Sequence, residues 1–133
     1  TANLRLGDVM PLLASATGRC FAAHVAPEAI APLVREELAR AQKLQRTDLP
    51  RTQAEVNTLL AEVRTRGVAR VVDTLLPGIV GFCAPVFDAD GHMALGIVTL
   101  GSIATFDPEW GGAVERPLRS AALQLSQDLG WRA

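Results

Sequence analysis

The chain has 133 residues, 49% of them apolar, with 13 basic and 14 acidic side chains and a net charge near −1. That length suits a single domain with a proper core, and so even a charge balance argues against a nucleic-acid-binding surface, which is normally basic. No apolar run approaches a membrane span, no signal-peptide pattern appears, and aromatics at 5% with no Tyr support stacking on single-stranded nucleic acid poorly.

The chain opens at Thr1 without Met, as a piece cut from something longer would. Asn3–Val9 reads as a short strand closed by Gly7-Asp8. Pro11–Gly18 leads into a small-residue helix over Ala16–Ala23, which Ser15 or Thr17 can cap by accepting from free backbone N–H groups. Such an N-terminus can also hold an anion, although capping alone is the commoner use. A second helix is predicted over Pro27–Gln45, with Pro32 restricting its first turn and Leu33, Val34 and Leu38 on its apolar face. The polar stretch Arg46–Arg51 reads as a loop. Thr52 and Glu55 form a T-x-x-E capping box, and Val56, Leu59, Leu60 and Val63 then mark an amphipathic helix that Gly67 ends.

Val68–Leu75 reads as a strand that brings Asp73 beside the segment the fold centres on, Gly78–Gly101. There, two apolar runs, Ile79–Phe87 and Met93–Leu100, flank Asp88-Ala89-Asp90-Gly91-His92, a strong hairpin signal. Alternation puts Gly81 and Cys83 on one face of the first strand, opposite Val80 and Phe82. On the second strand Gly96, Val98 and Leu100 oppose Leu95, Ile97 and Thr99. Both faces are apolar, so other layers must cover each. Gly81 and Gly96 leave room, and the face they lie on is expected to be hollow enough to hold a ligand. A loop over Ser102–Gly112 carries Phe106, Pro108 and Trp110. The last helix is expected over Ala113–Leu129, with Val114, Leu118, Ala121, Leu125 and Leu129 inward and Pro117 shifting its start or kinking it. The sum is an α/β or α+β domain: a central antiparallel sheet element flanked by three or four helices.

Chemistry-bearing residues are sparse. His92 lies in the hairpin turn, where a solvated role is ordinary, and His24 ends a helix, where a cation suits the dipole. No Cys/His spacing resembles a metal motif. No serine sits in a nucleophile elbow, and no phosphate-cradling glycine pattern occurs. Neither metal nor cofactor is expected. Cys20 and Cys83 form no disulfide framework, which points to a reducing cytoplasm. Cys83 faces the expected hollow; a buried structural thiol is the usual explanation, and thiol chemistry needs an exposed, low-pKa group. Trp110 fits equally a pocket lid and edge packing.

The order of motifs resembles one family. Pro11–Ala23, PLLASATGRCFAA, is similar to the PLHATALGKALLA block of the IclR family of bacterial transcription regulators. Thr52–Ala69 resembles that family's arginine- and glycine-ending helix, with Val63-Arg64 and Arg66-Gly67 in register. Gly78–Asp88 resembles its "Gv..iAaPVfd" strand, Gly91–Gly101 its return strand, and Ala121–Gly130 its closing helix. The blocks cover nearly the whole chain.

The resemblance implies an effector-binding domain of GAF-like α/β fold spanning residues 1–133, without its first hairpin. A winged helix-turn-helix that reads DNA would precede Thr1. It further implies a small-molecule effector, a homodimer or homotetramer, DNA contact only through the missing domain, no membrane, and no enzymatic activity. Backbone amides near Ala16, Thr17 and Gly18 would meet an effector carboxylate, and Gly81, Cys83, Val98 and Leu100 would face the pocket. Members that hold small hydroxy or keto acids carry an acid near Val71, Cys at Gly81 and Ser at Val98 and Leu100. The family Glu falls on Thr74, beside the candidate Asp73, its His on Leu13, and its Lys on Arg19. With those polar hooks gone, the expected effector is more apolar, an aromatic or medium-chain acid. The rivals are a GAF-like cysteine enzyme similar to free methionine sulfoxide reductases and a dimerisation module whose pocket is filled.

Overall fold

A computed structural model describes residues 11–132; the strand expected over Asn3–Val9 lies outside them. The elements run α1 (Ala16–His24), α2 (Pro27–Lys43), α3 (Gln53–Arg66), β1 (Ala69–Val72), β2 (Ile79–Phe87), β3 (Met93–Ser102) and α4 (Glu115–Asp128). The three strands form one antiparallel sheet in the order β1-β2-β3. The fold is α+β.

Of the two candidate caps for α1, Ser15 is the one in use: its hydroxyl accepts from the Gly18 N–H at 2.9 Å and donates to the Pro11 carbonyl at 2.7 Å. Pro27 opens α2, where the missing N–H costs nothing. Pro32 lies inside the helix rather than in its first turn, and Gln45 at φ 55° ends the helical path two residues earlier than expected. Thr52 caps α3 as expected, accepting from Glu55 N–H at 3.1 Å, but the Glu55 carboxylate reaches back to the Arg51 amide instead of closing on Thr52 itself. Gly67, at φ 76°, ends α3 in the left-handed region.

β1 is shorter than predicted because Asp73 turns out of the sheet at φ 65°. The hairpin forms as read, with the Asp88 carboxylate accepting from the amides of Asp90 and His92. Register pairs Gly81 with Leu100 and Cys83 with Val98 on one side, and with Val71 and Ala69 on the other. These residues therefore share a face, which α1 covers with α2 and α3 behind it. That core includes Leu12, Leu13, Cys20, Ile30, Val34, Val56, Leu60 and Val63. The opposite face, with Val80, Phe82, Ala84 and Val86, packs on α4. Both faces of β2 are covered, and all its residues from Val80 to Val86 are buried. Helix α4 begins two residues later than expected, which leaves Pro117 in its first turn without a broken bond. Its inward side also differs: Ala122 and Ser126 are buried, whereas Ala121 and Leu129 are exposed. Among the described residues, no helix is long and apolar enough to cross a membrane.

Candidate functional site

The start of α1 sits directly over the Gly81–Cys83 face of the sheet. An added Cβ at Gly18 would lie 2.2 Å from the Pro11 carbonyl oxygen and 2.5 Å from Leu12 Cα. Glycine is thus what lets the 11–14 segment cross the helix. That segment is held by Glu37 of α2, whose carboxylate accepts from the Leu12 and Leu13 amides at 2.8 and 3.0 Å. Because Gly18 N–H is taken by Ser15, the first-turn donors not used by the cap are those of Ala16 and Thr17. Ala16 is buried and Thr17 half-buried.

The structure brings most of the sequence-predicted residues together. Ala16, Gly81 and Leu100 meet: a Cβ on Gly81 would lie 2.8 Å from Leu100 Cδ2, 3.4 Å from Val71 Cγ2 and 3.5 Å from Ala16 Cβ. The Thr17 and Cys20 side chains lie beside Cys83, whose Sγ occupies the room left by Gly96, 2.8 Å from a Cβ there. The hollow expected beside the two glycines is therefore filled, by Leu100 at one and by Cys83 with Met93 at the other. Val98 and Leu100 are 41% and 49% exposed, so the lining is open on its β3 side. Asp73 is placed apart, exposed in the β1–β2 turn, where its Oδ1 accepts from Gly78 N–H at 2.6 Å.

Both thiols are free and fully buried. The neighbouring Cys83, together with burial, pushes the Cys20 thiol well above the usual range. His24 differs from the helix-end cation expected of it: burial, then the Arg64 guanidinium, lowers its pKa. Its Nε2 has no hydrogen-bond partner among the described residues, and the ring meets Phe87 edge-on at 5.1 Å. In the hairpin turn, ligand atoms of Asp88, Asp90 and His92 lie within 4.8 Å of one another on the surface.

Sequence reasoning gave no role to Arg19 and left Trp110 open. Arg19 is drawn into the fold by carbonyls: Nε donates to Leu13 at 2.7 Å and Nη1 to Arg70 at 3.4 Å. Burial lowers its pKa to about 10, against the more distant charges of Glu62 and Asp48. The signals were a charged residue directly before a cysteine on a short helix and the family Lys that falls on this position. Trp110 packs edge-on against Phe82 at 6.2 Å, with the Arg66 and Arg70 guanidinium carbons 4.2 and 4.9 Å from its ring centre.

Residues 1–127 match the model of the bacterial transcriptional regulator IclR C-terminal domain. HmgR of Pseudomonas aeruginosa is 32% identical in its crystal structure; the match covers 100% of this chain and 51% of that one, with a TM-score of 0.81. The C-terminal domain of the Escherichia coli regulator KdgR shares 20% identity over 91% of this chain and 72% of its own, with a TM-score of 0.71. The inducer-binding domain of PobR from Acinetobacter, solved as a double mutant with 3-hydroxybenzoic acid, shares 18% identity over 95% and 73% of the two chains, with a TM-score of 0.70. In a direct sequence comparison no curated protein matches. The chain spans about half the length of HmgR, and it belongs to the IclR family of bacterial transcriptional regulators, as their C-terminal domain.

Proposed function

We propose that this domain senses a fairly apolar small organic acid and passes the signal on through self-association, as a homodimer or homotetramer. DNA would be read by a separate N-terminal winged helix-turn-helix, and the whole would work in the cytoplasm without catalysing a reaction. The observation that supports the reading is the packing of the α1 start, through the side chains of Ala16 and Thr17, against the strand face of Gly81, Cys83 and Leu100, with Val98 paired to Cys83. Helix-start amides and the helix dipole favour a carboxylate, while the lining offers nothing to a molecule rich in hydroxyls. Leu100, half exposed, is the side chain an entering effector would displace. Asp73, held in its turn by Gly78, would act at the margin of that site rather than inside it. In PobR, a domain of this fold is described as inducer-binding and was solved with an aromatic acid. A cysteine enzyme fits less well, since its nucleophile must be an accessible thiolate and both thiols are fully buried.

The test is a thermal-shift series with aromatic, medium-chain and hydroxylated carboxylic acids. A ligand that binds only the folded state stabilises it by about 2.7 kcal/mol at a hundred times Kd. We expect a dose-dependent rise with an apolar acid and its loss in Thr17→Pro, which removes one amide where the helix tolerates proline. A stronger rise with a hydroxylated acid would overturn the effector class. No rise with any acid would favour a dimerisation module.

A further inference from the structure

A cavity of about 420 Å³ between α3 and the outer edge of β1 plays no part in that reading. Its apolar wall is Leu59, Val63, Val68 and Trp110, and Arg19 and Arg70 supply its cations. We infer that this cavity is a second binding site, for a flat monocarboxylate whose charged end is held by Arg19 and Arg70 and whose ring lies against Trp110.

The volume lies within the range of small-molecule sites, which are largely apolar with a few convergent polar groups. Arg19 carries its charge at a desolvation cost, and its two described hydrogen bonds go to neutral carbonyls. Among the described residues no carboxylate lies within 4.0 Å of it. An incoming carboxylate would meet guanidinium N–H groups in a setting where charge-assisted bonds are strong. Arg70 is fixed by donating from Nη1 to the Pro108 carbonyl at 2.7 Å, which ties the Trp110 loop to β1. The indole thus stands in a region of positive charge, with Arg66 and Arg70 both near its ring.

The rest of the lining narrows the ligand class. Exposed Glu55 and Glu62 of α3 border the same space. Glu62 lies 3.7 Å from Arg66, and Glu55 accepts from the Arg51 amide. They disfavour a second negative charge on the ligand, so a monoacid is selected over a diacid. The apolar wall and the indole favour a flat ring over a chain.

The test uses benzoate as probe and the domain carrying Trp131→Phe, so that Trp110 is the only indole reporting. We expect a saturable change in its fluorescence, weakened about tenfold or more by Arg70→Ala and about tenfold when neutral benzamide replaces benzoate. Should Arg70→Ala not fold, Arg70→Lys keeps the charge but loses the fork, and a several-fold weakening is expected. Arg70 lines the cavity and lies outside the α1 lining, so weakening in the Arg70 variant separates the two sites. The inference is overturned by a signal that never saturates, by equal binding of benzamide, or by wild-type affinity in the Arg70 variant.

Discussion

Gly18 and Gly81 are both buried beside the junction of α1 with the sheet, yet a methyl group means different things at the two positions. At Gly18 the new Cβ would strike backbone, 2.2 Å from the Pro11 oxygen and 2.5 Å from Leu12 Cα. The crossing segment is pinned by Glu37 and cannot step aside cheaply. At Gly81 the nearest atom is the end of Leu100, a half-exposed side chain free to rotate away. We therefore expect Gly18→Ala to cost about 3 kcal/mol, at the upper end for overpacking, and to lower Tm by on the order of 10 °C. Gly81→Ala should change stability by about 1 kcal/mol or less. Thermal melts of the two variants side by side check this, and equal losses would show that the crossing segment yields as readily as Leu100. A bare glycine in a sequence marks room or close approach without saying which. The reading of Gly81 as a hollow was the half of that ambiguity the fold resolved the other way.

At the level of elements, α4 shows why polarity pattern alone misplaces a helix face. The ladder phase turns the Phe87 amide to the β1 side of β2, and β1 pairs no further along β2 than Cys83, so the sheet gives that amide no partner. The buried hydroxyl of Ser126 takes that amide, accepting from Phe87 N–H at 2.9 Å while donating to the Ala122 carbonyl at 2.8 Å. Glu115, 2% exposed, likewise binds Gly111 N–H and Arg119. Ser126→Ala removes the acceptor and leaves the Phe87 amide unpaired, and we expect a loss of about 1–3 kcal/mol, read from denaturant unfolding. Ser126→Cys should recover little of it, because sulfur is a weak acceptor. A loss under about 0.5 kcal/mol would mean water serves the amide equally well. Apolar periodicity counts serine and glutamate as outward, so Ala121 and Leu129 were expected inward where the helix buries Ala122 and Ser126. Local signals fared better: the Thr52 cap, the Gly67 stop and the hairpin about Asp88–His92 depend on nearby backbone and were legible. Cavities were not, because the one beside Trp110 is assembled from α1, α3, β1 and a loop far apart in sequence.

For the molecule as a whole, the sheet is asymmetric, and its open side bears on self-association. β2 is buried throughout from Val80 to Val86, whereas β3 has no buried residue and carries Leu95, Val98 and Leu100 exposed, with Ile103 just beyond. The bonds Asp73 N–H to Ile79 O and Ile103 N–H to Gly78 O set the phase of the ladder. In antiparallel pairing, alternate residues direct their N–H and C=O to opposite sides. Thr99 and Ile97 therefore bond to β2, while Gly96, Val98 and Leu100 direct their amides outward, where the described residues form no further strand. An unpaired apolar edge of this length is an invitation to another strand. Hydrogen exchange on the isolated domain reads that edge directly. The amides of Thr99 and Ile97 should exchange at rates near those of β2, since all break in the same opening. Those of Val98 and Leu100 should exchange orders of magnitude faster at low protein concentration, then slow as concentration rises if copies pair along β3. Slow exchange at every concentration would mean that the chain itself covers the edge. Fast exchange at every concentration would put self-association on another surface. The same edge bounds the candidate effector lining at Val98 and Leu100, so an acid that slows these two amides without slowing Gly96 would connect sensing to assembly through a single strand.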